Sequence, residues 1–283
     1  MKTKLIDYVD NGPIFITGHV NPDGDALGSA FALKLFLDSQ NIISDVDFDI
    51  TTKLPSNLNH LPYHLISDDL KEKYNTVFVF DCGNSSRLGK YEEVVLAAEN
   101  VVVIDHHVDP SFGDVQIIDP HAASTTQVLF RQFKDENIEI NEEMANCLLT
   151  GLITDTGRFQ YSNTTSEVFS IAAELLGNGA NLSKISENIY GSIEFNALTL
   201  QSKIIERIVL NEDLQFAHSI VFQNDYKDYQ VEPEETDFLI DVVRLVKEST
   251  VALLIKEQED GSFKGSLRSV SYTHLTLPTI WEV

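Results

Sequence analysis

Short apolar runs alternate with longer segments of helical length through the first half of the chain. Three runs fit strands that are buried on both faces, at 14–17, 76–80 and 101–104. The segment at 26–38 is long enough for the first helix, and a later helix is expected to start at a Ser or Thr cap within 124–126. Strand followed by helix, repeated to residue 154, predicts a parallel sheet with helices on both faces, an α/β fold.

The second half predicts a smaller mixed α/β unit. A helix is expected at 234–246, and strands are expected at 214–221, 250–256 and 263–268. A helical linker at 186–205 separates the two parts. We therefore predict a first domain at 1–185 and a second domain at 206–283.

Acidic residues dominate the charge of the chain. Its 44 Asp and Glu against 20 Lys and Arg give a formal net charge of −24. Such a surface repels long nucleic acids and anionic membranes, so we exclude a role in coating long nucleic acid. A phosphorylated substrate would need local positive charge, from metal ions or from a few Arg side chains.

Cysteine usage and hydropathy indicate the compartment. Cys82 and Cys147 lie far apart without CxxC spacing, which predicts neither a disulfide framework nor a structural zinc site and suits a reducing compartment. No stretch approaches the roughly 18 apolar residues of a membrane span, and the N-terminus lacks a long apolar segment. We expect a cytoplasmic protein without membrane association.

Carboxylates and imidazoles follow all three predicted buried strands. The residues concerned are His19, Asp23, Asp25, Asp81, Asp105, His106 and His107. Because the carboxyl ends of parallel strands can meet at one edge of a sheet, where open α/β folds place their sites, these side chains are expected to converge. Asp155, at the end of a predicted helix beside a Gly-bearing turn, would add another carboxylate.

This many carboxylates cannot pack together without cations, because like charges a few ångströms apart force protonation. Two divalent ions resolve the conflict, and a two-metal site is an established means of hydrolysing phosphate esters. A set of His and Asp ligands favours Mn, Mg or Fe, whereas a structural zinc site would be expected to use Cys thiolates. The alternative is that the motifs are separate surface features, with Asp25 serving only as a helix N-cap.

Arg87 is the cation of the loop that follows Asp81. Its planar guanidinium could bind a substrate phosphate through two parallel hydrogen bonds. The alternative is a surface residue that pairs with a nearby acid.

Four separated motifs carry a resemblance to a known superfamily. They are GHVNPDGDALGSA, DCGNSSRLG, IDHHVDP and GLITDTGRFQYSNT, in this order along the chain. They resemble motifs one to four of the DHH phosphoesterase superfamily. The length and the SNT of the last motif most resemble the bacterial bifunctional oligoribonucleases that also act on 3′-phosphoadenosine 5′-phosphate, over roughly residues 5 to 269.

The resemblance implies two Mn²⁺ ions, with Mg²⁺ or another divalent ion as the alternative. His19 and Asp23 would hold one ion, and Asp81 would bridge it to the other. The remaining ligands of the second ion would be Asp25, His106 and Asp155.

The resemblance also implies how the substrate is handled. His107 would face the scissile phosphate. Asp105 would orient an imidazole by hydrogen bonding to it, without binding metal itself. A metal-activated water would attack phosphorus without a covalent enzyme intermediate. Arg268, in a segment that resembles the SLRS strand of the DHH-associated domain, would contact a substrate phosphate, although an Arg at a strand end is more often plain surface.

The chain departs from the family pattern after Ser269. A helix and a glycine-rich GGGH segment are expected next, whereas residues 270–283 show no match. Our interpretation is a truncated reading frame with foreign coding at its end, so that the DHHA1-like second domain would be incomplete. His274 is not taken as a substitute for the missing His.

The predicted function is hydrolysis of short RNA and phosphorylated adenosine nucleotides by a two-domain enzyme. Other members of the superfamily hydrolyse cyclic or linear dinucleotides or pyrophosphate, and the four motifs do not decide among these substrates. A non-catalytic metal or nucleotide sensor is the alternative from another class. Oligomeric state stays open, with a homodimer as one option.

Overall fold

A computed structural model of the chain describes residues 3–9, 12–51, 53–108, 110–191, 193–236 and 238–269. The chain divides into two compact units, Met1–Gly191 and Ser192–Val283. The domain limits that the sequence suggested, at residues 185 and 206, remain predictions. The atypical tail from residue 270 onward, with His274, lies outside the described residues.

A five-stranded parallel sheet forms the centre of the first unit. Its strands are β1 (Ile14–Gly18), β2 (Ser44–Val46), β3 (Thr76–Phe80), β4 (Asn100–Asp105) and β5 (Val115–Ile118). Their order is β2-β1-β3-β4-β5, and every neighbouring pair is parallel. The carboxyl ends of β1, β3 and β4 therefore lie side by side, and the direction of strand addition reverses between β1 and β3, where such sheets bind ligands.

Helices cover both faces of this sheet, as the sequence predicted. They are α1 (Gly24–Ser39), α2 (Glu92–Leu96), α3 (Thr125–Asp135), α4 (Glu142–Asp155), α5 (Ser166–Gly177) and α6 (Leu182–Tyr190). Phe78 and Ile104 share a core with α1, α3 and α4, whereas Val77 and Val103 pack on the opposite face with α2 and the 3-10 segment Ser85–Tyr91. Among the described residues, no helix combines the length and hydropathy needed to cross a membrane.

The second unit is a mixed four-stranded sheet with helices, which confirms the predicted class. Its elements are α7 (Phe195–Glu206), β6 (Val209–Asn211), β7 (Phe216–Val221), α8 (Gln223–Tyr229), α9 (Leu239–Val243), β8 (Val251–Glu257) and β9 (Phe263–Ser269). The strands lie in sequence order, with β7 and β8 parallel and the other two pairs antiparallel. The helix predicted at 234–246 is wrong in extent: a 3-10 turn, Pro233–Thr236, closed by the Thr236 hydroxyl on Pro233 O, precedes the short α9.

Two glycines allow α1 and α4 to approach closely. A Cβ atom on Gly28 would lie 2.4 Å from the carbonyl oxygen of Cys147 in α4. A Cβ atom on Gly151 would lie 2.5 Å from Thr126 Cγ2 and 2.6 Å from an oxygen of Asp25. Only glycine fits at such distances, and the close packing places the start of α1 beside the end of α4.

Replacement of Gly28 with Ala should lower the free energy of unfolding by about 1–3 kcal/mol, because the new methyl group meets backbone rather than a movable side chain. Chemical denaturation would measure the change. Gly177→Ala is the matched control: this glycine ends α5 with no atom within 4 Å of its Cβ position, so the substitution should be neutral or slightly stabilising. Equal stability of the two variants would show that α1 and α4 do not require the close approach.

Candidate metal centre

The loop between β1 and α1 brings three of the predicted residues to the carboxyl edge of the sheet. His19 is buried, and its Nδ1 lies 2.9 Å from Val20 O, so Nε2 is the nitrogen that faces the acidic residues. Asp23 is the N-cap of α1, with Oδ1 accepting from the amides of Asp25 and Ala26. Asp25 is fully buried in the first turn and is not the cap, contrary to the alternative considered for it.

Asp81 lies between two imidazoles. Its Oδ2 is 3.4 Å from His19 Nε2, and its Oδ1 is 3.6 Å from His106 Nε2. The residue follows β3 directly and adopts φ 54°, in the left-handed region that Asp and Asn tolerate better than most residues. Each oxygen of this one carboxylate thus faces a different half of the cluster.

The ends of β4 and α4 supply the other half. His106 Nε2 is 3.3 Å from Asp155 Oδ2 and 4.0 Å from Asp25 Oδ2. Its Nδ1 lies 3.3 Å from Ala122 O, which leaves Nε2 for the carboxylates. Ligand atoms of six predicted residues fall into two groups of three, each within 4.8 Å: His19, Asp23 and Asp81 form one group, and Asp25, His106 and Asp155 form the other.

His107 is held differently from His106. Its Nδ1 lies 2.7 Å from Asp105 Oδ1, which also accepts from the amides of His106 and His107. Asp105 is fully buried, whereas the side chain of His107 is 48% exposed. The same ring nitrogen is 3.4 Å from Asp81 Oδ1, and His107 therefore also belongs to a third group able to hold an ion, with Asp81, Asp105 and His106.

The two predicted phosphate-binding Arg residues lie in different units. Arg87 is exposed in the 3-10 segment after β3, close enough for its charge to oppose protonation of His107, and its carbonyl accepts from the Val20 amide. Arg268 is exposed in β9, with Nη1 3.1 Å from Leu267 O. A substrate-binding role stays a prediction for both.

Two residues make polar contacts near the cluster that were not predicted. The Thr125 hydroxyl donates to Asp81 Oδ1, and the Asn163 amide donates to the carbonyl oxygens of Ala123 and Asp155. Thr125 lies in the Ser/Thr run expected to cap α3, where Ser124 proves to be the cap. The polar run itself was the available signal for Thr125, and the SNT of motif four was the signal for Asn163.

The pKa values of the cluster fit a site for cations. Burial and the negative charge of Asp81 raise the pKa of Asp25 to about 7, and burial and the charge of Asp25 raise the pKa of Asp155 well above its usual value. Burial acts in the same direction on Asp81, but nearby imidazoles outweigh it and lower its pKa. The hydrogen bond to Asp105 raises the pKa of His107 to about 9. Divalent cations would offset both the burial and the repulsion that favour the protonated forms of Asp25 and Asp155.

Without metal, the protein should become less stable as the pH rises from about 5 to about 8. The raised pKa of Asp25 means that, between its usual value near 4 and about 7, the folded state binds more protons than the unfolded state, so stability falls across that window. Asp155 acts in the same direction, and the raised pKa of His107 extends the fall toward pH 9. The lowered pKa of Asp81 acts only below about pH 4.

Thermal unfolding of chelator-treated protein at several pH values would measure this slope, with Mn²⁺-loaded protein as the control. Mn²⁺ should restore stability most at the higher pH, where the carboxylates are ionised. A melting temperature of the metal-free protein that increases from pH 5 to 8 would contradict the expected charge pattern.

Sequence comparison identifies the family. A profile of the DHH family, N-terminal domain, matches residues 13–152. The bifunctional oligoribonuclease and PAP phosphatase NrnA of Thermus thermophilus is 32% identical over 267 residues, which are 91% of this chain and 76% of that protein. The chain belongs to the DHH family of phosphoesterases. A probable bifunctional oligoribonuclease and PAP phosphatase NrnA of Streptococcus mutans is 28% identical over 276 residues. The aligned residues are 95% of this chain and 86% of that protein.

The fold of this DHH protein also occurs among solved structures. The crystal structure of an exopolyphosphatase-related protein from Bacteroides fragilis superposes with a TM-score of 0.87 and 26% sequence identity. The superposition covers 94% of this chain and 82% of that chain. The match extends over both units of the chain. As a member of the DHH family with a His and carboxylate cluster able to bind metal, the protein is a hydrolase that acts on phosphoesters.

Proposed function

We propose that the protein hydrolyses short oligoribonucleotides and 3′-phosphoadenosine 5′-phosphate with the help of two divalent metal ions, Mn²⁺ being the expected ion. The observation that carries the proposal is the position of Asp81, whose two oxygens face two separate groups of ligand atoms. The substrates are those named for the relatives from Thermus thermophilus and Streptococcus mutans.

The residues present suit two ions. His19 and Asp23 would hold the first, Asp81 would contact both, and the ligands proposed for the second are Asp25, His106 and Asp155. The first ion would have three imidazole or carboxylate ligands and the second would have four, Asp81 being counted for both. The carboxylates, with further positions open to water, are ligands that suit Mn²⁺. When bound, such ions lower the pKa of a water molecule and neutralise charge on phosphoryl oxygens.

His107 is proposed to contact the scissile phosphate. Because its Nδ1 is engaged by Asp105 Oδ1 at 2.7 Å, Nε2 is the nitrogen available to a substrate. The two backbone amides on the same Asp105 oxygen fix the carboxylate, and the carboxylate fixes the imidazole. Arg87, the cation beside this histidine, is proposed to bind a second phosphate oxygen or a neighbouring phosphate.

The charge of the chain favours small substrates. With a net charge of −24, attraction of a polyanion must come from the ions and from a nearby cation such as Arg87. A substrate with few phosphates can be held within that local field, whereas a long nucleic acid would extend over acidic surface. This supports short RNA over long polymers.

The testing experiment compares four substrates with the full chain: a five-nucleotide RNA, 3′-phosphoadenosine 5′-phosphate, cyclic di-AMP and pyrophosphate. Each is incubated with Mn²⁺, with Mg²⁺ and with chelator. Metal-dependent release from the first two supports the proposal. Hydrolysis only of cyclic di-AMP or of pyrophosphate would keep the metal centre and overturn the substrate, and binding of Mn²⁺ without any hydrolysis would favour a sensor.

A further inference from the structure

The start of α3 contacts two carboxylates of the cluster. Its first two helical amides, of Thr125 and Thr126, donate to Asp25 Oδ2 at 2.6 Å and to Asp25 Oδ1 at 2.9 Å. The third amide, of Gln127, donates to the Ser124 hydroxyl at 3.0 Å. A carboxylate 100 residues earlier in the chain thus satisfies amides that a helix start otherwise leaves without partners.

Thr125 also reaches the second carboxylate. Its hydroxyl donates to Asp81 Oδ1 at 3.2 Å, and both residues are buried, Thr125 completely and Asp81 to all but 4%. Asp25 belongs to the second half of the cluster, and Asp81 lies between the halves. One residue therefore connects the two, through its amide on one side and its hydroxyl on the other.

Asp81 needs such a contact if its two oxygens are to face two ions. A carboxylate rotates about its Cβ–Cγ bond over a broad energy minimum, so its plane is set by its hydrogen bonds rather than by torsional preference. The oxygen that accepts from Thr125 is the one that lies 3.6 Å from His106 Nε2, and this leaves the other oxygen beside His19. The hydroxyl thereby acts with His107 Nδ1, 3.4 Å from the same oxygen, and with His19 Nε2, 3.4 Å from the other oxygen, to set which oxygen faces which half.

We propose that Thr125 is a positioning residue that fixes the carboxylate plane of Asp81 through its hydroxyl and so sets the affinity of the site for metal. This inference rests on the metal centre of the proposed function. It concerns how tightly the ions are held and how well they are placed, not which substrate is cleaved.

A purely structural role makes a different prediction. A buried hydroxyl can simply use nearby partners, as Thr150 does in α4. It is fully buried, donates to Asn146 O at 2.8 Å and lies 2.9 Å from His60 Nε2, and neither partner belongs to the cluster. If Thr125 were of this kind, replacing its hydroxyl with a methyl group would cost stability and leave metal affinity unchanged. Thr150→Val is therefore the matched control.

The experiment measures Mn²⁺ affinity of the metal-stripped full chain from the electron paramagnetic resonance signal of free Mn²⁺, together with kcat and KM on 3′-phosphoadenosine 5′-phosphate. Thr125→Val, which keeps the shape, should bind Mn²⁺ roughly 10- to 100-fold more weakly and lower kcat more than it changes KM. Thr125→Ser, which keeps the hydroxyl, should restore both. Thr125→Ala repeats the loss with a smaller side chain should the Val variant fold poorly.

Unchanged Mn²⁺ affinity in folded Thr125→Val or Thr125→Ala, or an equal loss in Thr150→Val, would overturn the role of Thr125 while leaving the proposed function standing. A failure of Thr125→Ser to restore binding would also overturn it. Absence of Mn²⁺ binding by the unchanged protein is a separate result, because it would overturn the proposed metal centre itself.

Discussion

Replacement of Asp81 with Asn should reduce hydrolysis by about 10³-fold or more, the loss expected when an interaction worth about 4 kcal/mol is removed from the transition state. The new side chain keeps one carbonyl oxygen but presents an amide NH₂ group where a second oxygen faced the cluster. It also lacks the negative charge that two cations would share. We expect Mn²⁺ affinity to fall together with kcat.

Asn is the informative substitution because of the backbone at this position. Asp81 has φ 54°, which Asn adopts more readily than Ala does, so the variant should fold without the strain that Ala would add. The Ala variant would confound lost chemistry with a distorted loop. Circular dichroism of the Asn variant should match that of the unchanged protein.

Asp213→Asn is the matched control for this substitution. Asp213 is exposed in the turn between β6 and β7 of the second unit, so the same change of charge there should leave hydrolysis and metal affinity unaltered. Retention of activity within about tenfold by folded Asp81→Asn would contradict a carboxylate shared by two ions. Hydrolysis abolished in this variant and present in the unchanged protein would exclude the non-catalytic sensor.

The convergence of distant residues could be predicted because the topology requires it. Buried apolar runs at 76–80 and 101–104 predict parallel strands, and parallel neighbours present their carboxyl ends at one edge. Asp81 and Asp105 then lie on adjacent strand ends with no further information. The residues of the first loop follow the carboxyl end of β1 in the same way, and Asp155 reaches this edge at the end of α4.

The support of the cluster could not be predicted in the same way. The contact from Thr125 to Asp81 joins residues 44 positions apart and depends on how α3 docks against the sheet. Local sequence gave the run 124–126 only a capping role, which Ser124 fulfils. The left-handed backbone of Asp81 was equally hidden, because a single Asp after a strand carries no signal of its φ angle.

The helix predicted at 234–246 fails for a related reason. Its apolar residues do show helical spacing, and Leu239, Ile240 and Val243 are buried in the core of the second unit. Local hydrogen bonding of Thr236 to Pro233 nevertheless closes a separate 3-10 turn before them. Periodicity identified the buried face correctly. It carries no information on side chains, such as that of Thr236, that hydrogen-bond to the neighbouring backbone and compete with helix formation.

Replacement of His107 with Ala should lower kcat by about 10²- to 10⁴-fold, the range for losing a side chain that acts on the substrate by proton transfer or hydrogen bonding. Mn²⁺ affinity should stay close to that of the unchanged protein, since His107 Nδ1 is occupied by Asp105. This combination separates His107 from Asp81, whose loss should reduce both quantities. His64→Ala, at an exposed histidine in the 3-10 turn Tyr63–Leu65, is the matched control.

Asp105→Asn should reproduce part of the effect of His107→Ala, because the imidazole would then keep its place without its ionic partner. A loss of about 10- to 100-fold is expected, and added imidazole should partly restore His107→Ala but not Asp105→Asn. The competing arrangement is the third group of ligand atoms, in which His107 joins Asp81, Asp105 and His106 in holding an ion. A fall in Mn²⁺ affinity of His107→Ala as large as that of Asp81→Asn would make His107 a metal ligand and remove it from the scissile phosphate.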